Sequence, residues 1–191
     1  MTRAVVDACV LYSAFLRDLM MRLTARFAFQ PVWSEEIHDE WIRNLLENRP
    51  DLTRDQLAHT QSLMDRHGRD CLAPDFHHLI ETLTLPDPND RHVFAAAITS
   101  RSSIIVTYNL ADFPPRMLAP YEIEAQHPDV FLSALFQNSP EQFREAVHDL
   151  LAALKNPPVT LKNRLGLMRK LDLKRTAHLI ERAKIANPDW V

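Results

Sequence analysis

Two apolar runs of strand length, Ala4-Val5-Val6-Asp7-Ala8-Cys9-Val10-Leu11 and Ser103-Ile104-Ile105-Val106-Thr107-Tyr108, stand far apart with helical periodicity between them. A hairpin cannot join strands so separated, so the alternation predicts a parallel sheet whose crossovers are helices. Residues from about Ser13 to Phe27 read as one helix, and Pro31-Val32-Trp33 leads to Ser34, a candidate N-cap. Ile37, Trp41 and Leu45 recur every fourth residue, the mark of an amphipathic helix. A further helix spans Thr53 to His67 and stops at Gly68, a residue that commonly breaks helices at their C-terminal end. Leu79 to Leu85 reads as a short strand, Val93 to Ser100 as a helix and Tyr121 to Ala125 as a last strand. Beyond Pro128 strand signals cease. Ser139 and Gln142 form a capping box ahead of the stripe Phe143, Val147, Leu150, Leu151 and Leu154. After Pro157-Pro158 come two more helical stretches, roughly 161–170 and 173–186. The expected fold is a three-layer α/β/α sandwich with a mainly parallel sheet over residues 1–135, followed by an all-helical extension over 136–191.

Composition narrows the class. With 191 residues the chain is one domain, or one with an appendage, and it buries enough surface to need no disulfide. Cys9 and Cys71 form no CxxC pair and are expected as reduced, semi-buried thiols. No apolar run approaches a membrane span, and the first residues make a poor signal peptide, so the expectation is a soluble, cytoplasmic protein without membrane contact. Two glycines in the whole chain exclude a Walker loop and a GxGxxG turn. The net charge of −3 hides an asymmetry. Residues 1–154 carry 13 basic and 22 acidic side chains, whereas residues 155–191 carry 9 and 3. A basic tail on an acidic body contacts a polyanion, docks on an acidic surface, or is a solvated helical face.

The chemistry lies in acids placed where structure alone explains them poorly. Asp7 interrupts an apolar strand run, where a carboxylate is disfavoured and costly to bury unpaired. Open α/β sheets bind ligands beyond the carboxyl ends of their strands, which is where Asp7 stands. On the helix after Ser34, Glu40 flanks the buried stripe, while Glu35, Glu36 and Asp39 point further from it and suit the helix dipole. In Pro86-Asp87-Pro88-Asn89-Asp90, Asp87 has a sufficient role as N-cap with Pro88 at the first helical position. Asp90 lies one turn before Phe94, on the face turned to the sheet. Asn109 suits a turn after the later strand, with Asp112 three residues on. Together Asp7, Glu40, Asp90 and Asp112 converge on one sheet edge, where mutual repulsion demands protons or cations. Oxygen ligands favour Mg²⁺ or Mn²⁺ over zinc, and the nine histidines lack a zinc spacing. The neighbours His77 and His78 are expected on opposite sides of a strand.

The segments Val6-Asp7-Ala8-Cys9-Val10-Leu11, Ser34 to Glu40, Leu85-Pro86-Asp87-Pro88-Asn89-Asp90-Arg91-His92-Val93 and Val106 to Pro114 resemble the PIN domain, most closely its VapC-like bacterial members. The resemblance covers roughly residues 1–135. It implies a Rossmann-like fold and a Mg²⁺- or Mn²⁺-dependent ribonuclease, a toxin often held inactive by a cognate antitoxin and dimerised with itself. By position, Asp7, Glu40, Asp90 and Asp112 match the family's four acids, which are both catalytic and metal-holding. Asp87 matches an extra acid of one branch, so it is read both as a metal ligand and as a cap. Thr107 and Asn109 match polar residues that hydrogen-bond beside the last acid, and no residue is singled out for RNA binding. The helical tail departs from minimal toxins of this family.

Three functions follow. The leading one is an endoribonuclease hydrolysing phosphodiesters with divalent cations. A second is a scaffold of PIN-like fold acting through protein or nucleic-acid binding. A third, a phosphatase or phospho-acceptor, expects an acidic pair after the first strand and a later lysine, and residues 102–125 contain no Lys.

Overall fold

The computed structural model describes residues 1–153, 160–187 and 189–190. Strand β1 (Arg3–Val6) is followed by a single turn, α1 (Ala8–Leu11), and by α2 (Ala14–Ala25). Next come β2 (Gln30–Val32), α3 (Glu35–Asn48), α4 (Arg54–Gly68) and the short α5 (His77–Ile80). A 3-10 turn at Pro88–Asp90 leads into α6 (Arg91–Thr99), then β3 (Ile104–Val106), a second 3-10 turn at Leu110–Asp112 and α7 (Pro115–Leu118). The third 3-10 turn, Ala119–Tyr121, precedes β4 (Glu124–Gln126), after which α8 (Pro128–Asn138), α9 (Pro140–Ala152), α10 (Leu161–Lys170) and α11 (Lys174–Ala186) complete the chain. The four strands form one parallel sheet in the order β2-β1-β3-β4.

That order carries the functional consequence. The chain leaves β1 toward β2 on one side and later returns to β3 on the other, so the topology switches between β1 and β3. Crevices outside the carboxyl ends of strands at such a point take ligands. Asp7 directly follows β1, and Thr107 directly follows β3. Pro31 sits in β2, an edge strand paired to β1 alone, where its missing N–H leaves no ladder partner unsatisfied. Helix α6 packs on β1 and β3 through Val93, Phe94, Ala95, Ala96 and Ala97, all buried, and α2 and α4 pack on β2.

The apolar run at the N-terminus splits. Ala8 to Leu11 form helix, not strand, because the sheet ends at Asp7, whose carbonyl accepts the N–H groups of Val10 and Leu11 at 3.0 and 3.1 Å. The strand expected over Leu79–Leu85 is absent as well. His77–Ile80 are helical, so His77 and His78 lie on a helical turn, and Leu83 and Leu85 are buried in the core from an irregular segment. The Ser139 capping box does not form: Ser139 precedes α9 without a side-chain bond, and Pro140 needs no N–H partner. Phe143, Val147 and Leu150 are buried as the stripe requires, Leu151 packs at its margin, and Leu154 and Pro157-Pro158 lie outside the described residues.

Gly68 does not end its helix by taking a left-handed turn, for no glycine has positive φ among the described residues. Arg69 and Asp70 take positive φ instead, at 47° and 37°, with Arg69 extended at ψ 122° rather than in a left-handed turn. Glycine is needed at 68 for space: a Cβ there would lie 2.6 Å from Cys71 Sγ, 2.7 Å from Cys71 Cβ and 3.0 Å from the Trp33 ring. Gly68→Ala is therefore expected to destabilise the chain by about 1–3 kcal/mol, the usual cost of overpacking, and denaturant unfolding reads it directly.

Candidate functional site

Asp7 is only 3% exposed. Its N–H donates to the Val106 carbonyl at 3.1 Å, so the sheet fixes its backbone. Although it stands at the start of α1, its side chain caps nothing. Oδ2 instead accepts Thr107 Oγ1 at 2.6 Å and Cys9 Sγ at 3.1 Å. Burial pushes the Asp7 carboxyl above the ordinary range, the Thr107 and Cys9 bonds pull it back, and the Glu40 carboxylate adds to the rise. Burial, reinforced by the Asp7 charge, pushes the Cys9 thiol up to about 12, so Cys9 stays a neutral donor. Thr107 also accepts the Asn109 N–H at 2.9 Å, which ties the turn after β3 to the same carboxylate.

A polar cleft of about 650 Å³ is lined by Glu40 from α3, Asp87 and Asp90 from the turn before α6, and Asn109 and Asp112 from the turn after β3; the buried Asp7 does not line it, but its charge reaches Asp90. Asp90 is half-buried, and its carboxyl is pushed up to about 7, first by burial and then by the charges of Asp7, Asp87, Asp112 and Glu40. Five acids from four parts of the chain thus share one electrostatic neighbourhood. Asp87 uses Oδ1 to accept the Asn89 N–H at 2.8 Å, a capping bond that leaves its second oxygen for other work. A second, more apolar hollow of about 550 Å³ beside α2 and α4 holds none of the five.

Glu40 is not alone on its side of α3. Glu36 and Asp39 line the same cleft, as do Arg43, Asn44, Asn89 and His92. The signal was available, because Glu36, Arg43 and Asn44 stand four before, three after and four after Glu40 and so share its face. Glu36 is also bonded to His77 Nε2 at 2.6 Å, and His77 Nδ1 meets Asp75 at 3.1 Å. His92 approaches Glu40 at 3.7 Å, and its buried Nδ1 has no hydrogen-bond partner.

Oxygen donors of this kind suit hard divalent cations. Among the described residues no three His, Cys, Asp or Glu side chains come close enough to hold one ion as they stand. The Asp90 carboxyl is raised by burial and then by the charges around it, and a cation placed among these acids would offset both. The donor set therefore fits such an ion.

Residues 3–111 match the family model of the PIN domain. The chain belongs to the PIN domain family. Residues 128–182 of this PIN protein match a second model, the VapC50 C-terminal domain, so its helical C-terminal region has counterparts of its own. The chain is 42% identical over 71 residues to "Putative ribonuclease VapC50" of Mycobacterium tuberculosis (strain ATCC 25618 / H37Rv), a stretch that covers 37% of this chain and 42% of that protein. No solved structure matches. No helix among the described residues is long and apolar enough to cross a membrane.

Proposed function

We propose that this PIN-domain protein is a Mg²⁺- or Mn²⁺-dependent endoribonuclease, the toxin of a toxin–antitoxin pair, with Asp7, Glu40, Asp90 and Asp112 as its catalytic and metal-holding acids. The observation that carries the reading is the convergence of Glu40, Asp87, Asp90 and Asp112 on one cleft, close enough to the buried Asp7 that the Asp90 carboxyl is raised to about 7, first by burial and then by its acidic neighbours. Strongly perturbed acids in a cleft cluster at functional sites. A bound divalent cation supplies positive charge to the phosphate and lowers the pKa of water. The chain's own residues do the rest. Thr107 and Cys9 fix the Asp7 carboxylate through Oδ2, and Asn109 fixes Thr107 in turn. Asp87 is a cap with one oxygen to spare, so it joins the set as an outer ligand. RNA is the substrate, a cognate antitoxin restrains the chain, and the active species is a homodimer.

A scaffold reading draws on a single fact, the spacing of the acids in the described residues. One assay separates the two. Mixed single-stranded and structured RNAs are incubated with the chain in Mn²⁺ and in chelator, beside Asp7→Asn. Cleavage in Mn²⁺ alone, lost in the variant, is the expected result. A folded chain that binds Mn²⁺ yet leaves every RNA intact, or that binds no Mn²⁺, favours the scaffold.

A further inference from the structure

The basic charge of this chain is not spread evenly, and the fold brings part of it to the catalytic edge. Every lysine lies beyond residue 154. Asp7, Thr107-Tyr108 and His127 follow the carboxyl ends of β1, β3 and β4, so parallel pairing sets all three at one rim of the sheet. The turn between α10 and α11 docks on two of them. Tyr108 Oη donates to the Leu171 carbonyl at 2.7 Å, and His127 Nε2 faces Asp172 at 3.8 Å. Tyr108 is the direct neighbour of Thr107, whose hydroxyl holds Asp7. The turn therefore stands beside the acidic site, on its β4 side.

The turn is also tied down by hydrogen bonds. Asp172 takes a left-handed conformation at φ 58°, and Leu173, fully buried, returns its N–H to the Met168 carbonyl at 2.8 Å. Both Asp129 oxygens clamp the start of α11, accepting the N–H groups of Arg175 and Thr176 at 2.8 Å each and the Thr176 hydroxyl at 2.7 Å. From Arg169 to Arg175 the segment carries four cations and one acid. Arg169 is spent on Glu181 at 2.7 Å, and Lys174 pairs with Asp172 at 2.8 Å while staying 74% exposed. Lys170 and Arg175 are exposed and have no acidic partner within 4.0 Å among the described residues. Lys170 and Arg175 thus enter no ion pair among the described residues, and Lys174 enters only the exposed one within the turn.

We propose that the α10–α11 turn is a backbone-binding rim of the active site, where Lys170, Lys174 and Arg175 hold phosphates of a single-stranded RNA next to the bond that is cut. The proposal rests on the ribonuclease reading and gives it what the acidic body lacks. Residues 1–154 carry 22 acids against 13 bases, which repel a polyanion, and the rim supplies local attraction within a Debye length of about 8–10 Å. Phosphate contacts position a strand without reading its sequence, so the rim sets affinity and register, not base choice.

The test compares the full chain with a Lys170→Ala, Lys174→Ala, Arg175→Ala triple variant, cutting one short labelled single-stranded RNA in Mn²⁺ over a series of salt concentrations. Each lost contact to a single strand lowers the slope of log affinity against log salt by about 0.7, so three lower it by about 2. At about 0.1 M salt the expected rise in KM is about 30- to 100-fold, with kcat within about twofold and the melting temperature unchanged. Lys170→Arg with Lys174→Arg is expected to behave as the parent chain, and Lys162→Ala, at the far end of α10, to change neither KM nor slope. An unchanged KM and slope in the triple variant, an equal effect from Lys162→Ala, or a fall in kcat alone overturns the rim and leaves the nuclease standing. A parent chain that neither binds nor cuts RNA overturns both.

Discussion

Asp90→Asn is expected to remove RNA cleavage while making the metal-free protein more stable at pH 8. The two effects share one cause. Asp90 is pushed up to about 7 from an ordinary 3.8, so between those values the folded chain keeps a proton that the unfolded chain has released. Stability then falls as pH rises through that window and stays lowered above it, because the native state binds more protons than the unfolded one. At pH 8 the ionised carboxylate works against its neighbours, and the neutral amide does not. Allowing for the solvent screening of a half-exposed group, the gain is about 1–2 kcal/mol, or about 2–8 °C in melting temperature. Removing one acid from the cation set costs several kcal/mol of transition-state stabilisation, so kcat should fall by about 10³-fold. Mn²⁺ should raise the melting temperature of the parent chain by mass action and do so less in the variant. A variant that is less stable at pH 8, or that cleaves as fast as the parent, would contradict the electrostatic account of the cleft.

Much of this acidic cleft was visible in the sequence because its acids break local rules. Asp7 interrupts an apolar run that wants no charge, and Asp90 closes the 3-10 turn that leads into a helix packed on the sheet. What the sequence hid is of two kinds. Some of it is tertiary override of local preference. Ala8-Cys9-Val10-Leu11 has strand composition but turns into helix once β1 has run out of partner, and Leu83 and Leu85 are apolar because an irregular segment buries them in the core. The rest is contact between distant segments. The oxygen of Asp7 that accepts Cys9, two residues away, also accepts Thr107, which lies 100 residues from Asp7. Only the family resemblance pointed to Thr107, since no spacing rule links it to the first acid. The width of the acidic face was a failure of another sort. Judging each acid by its distance from the buried stripe separated Glu40 from Glu36, whereas two residues four apart share a face and reach the same cleft.

Replacing Asp65 tests how α3 holds its acids in place. His38 is fully buried on α3, one turn from Trp41, whose Nε1–H donates to His38 Nδ1 at 2.9 Å. That bond makes Nδ1 an acceptor and leaves the proton on Nε2, which faces Asp65 Oδ1 at 3.1 Å. The same oxygen accepts the Trp33 Nε1–H at 2.8 Å. One carboxylate on α4 thus anchors the end of the edge strand and the helix that carries Glu36, Asp39 and Glu40. Asp65→Ala strands the donors of Trp33 and His38, each at about 1–3 kcal/mol, and partial access of water trims the sum to about 2–4 kcal/mol. Burial also holds His38 below its ordinary 6.5, with Asp65 opposing that shift. The unfolded chain therefore takes up a proton first, and stability is lost as pH falls below about 6.5. Without Asp65 the imidazole is harder still to protonate, so the acid-side loss should steepen. Denaturant unfolding from pH 8 to 5 reads both effects. Cleavage by the variant should fall alongside, since a loosened α3 no longer holds Glu40 against the cleft. A variant as stable as the parent across that range would show that the aromatic core alone fixes α3.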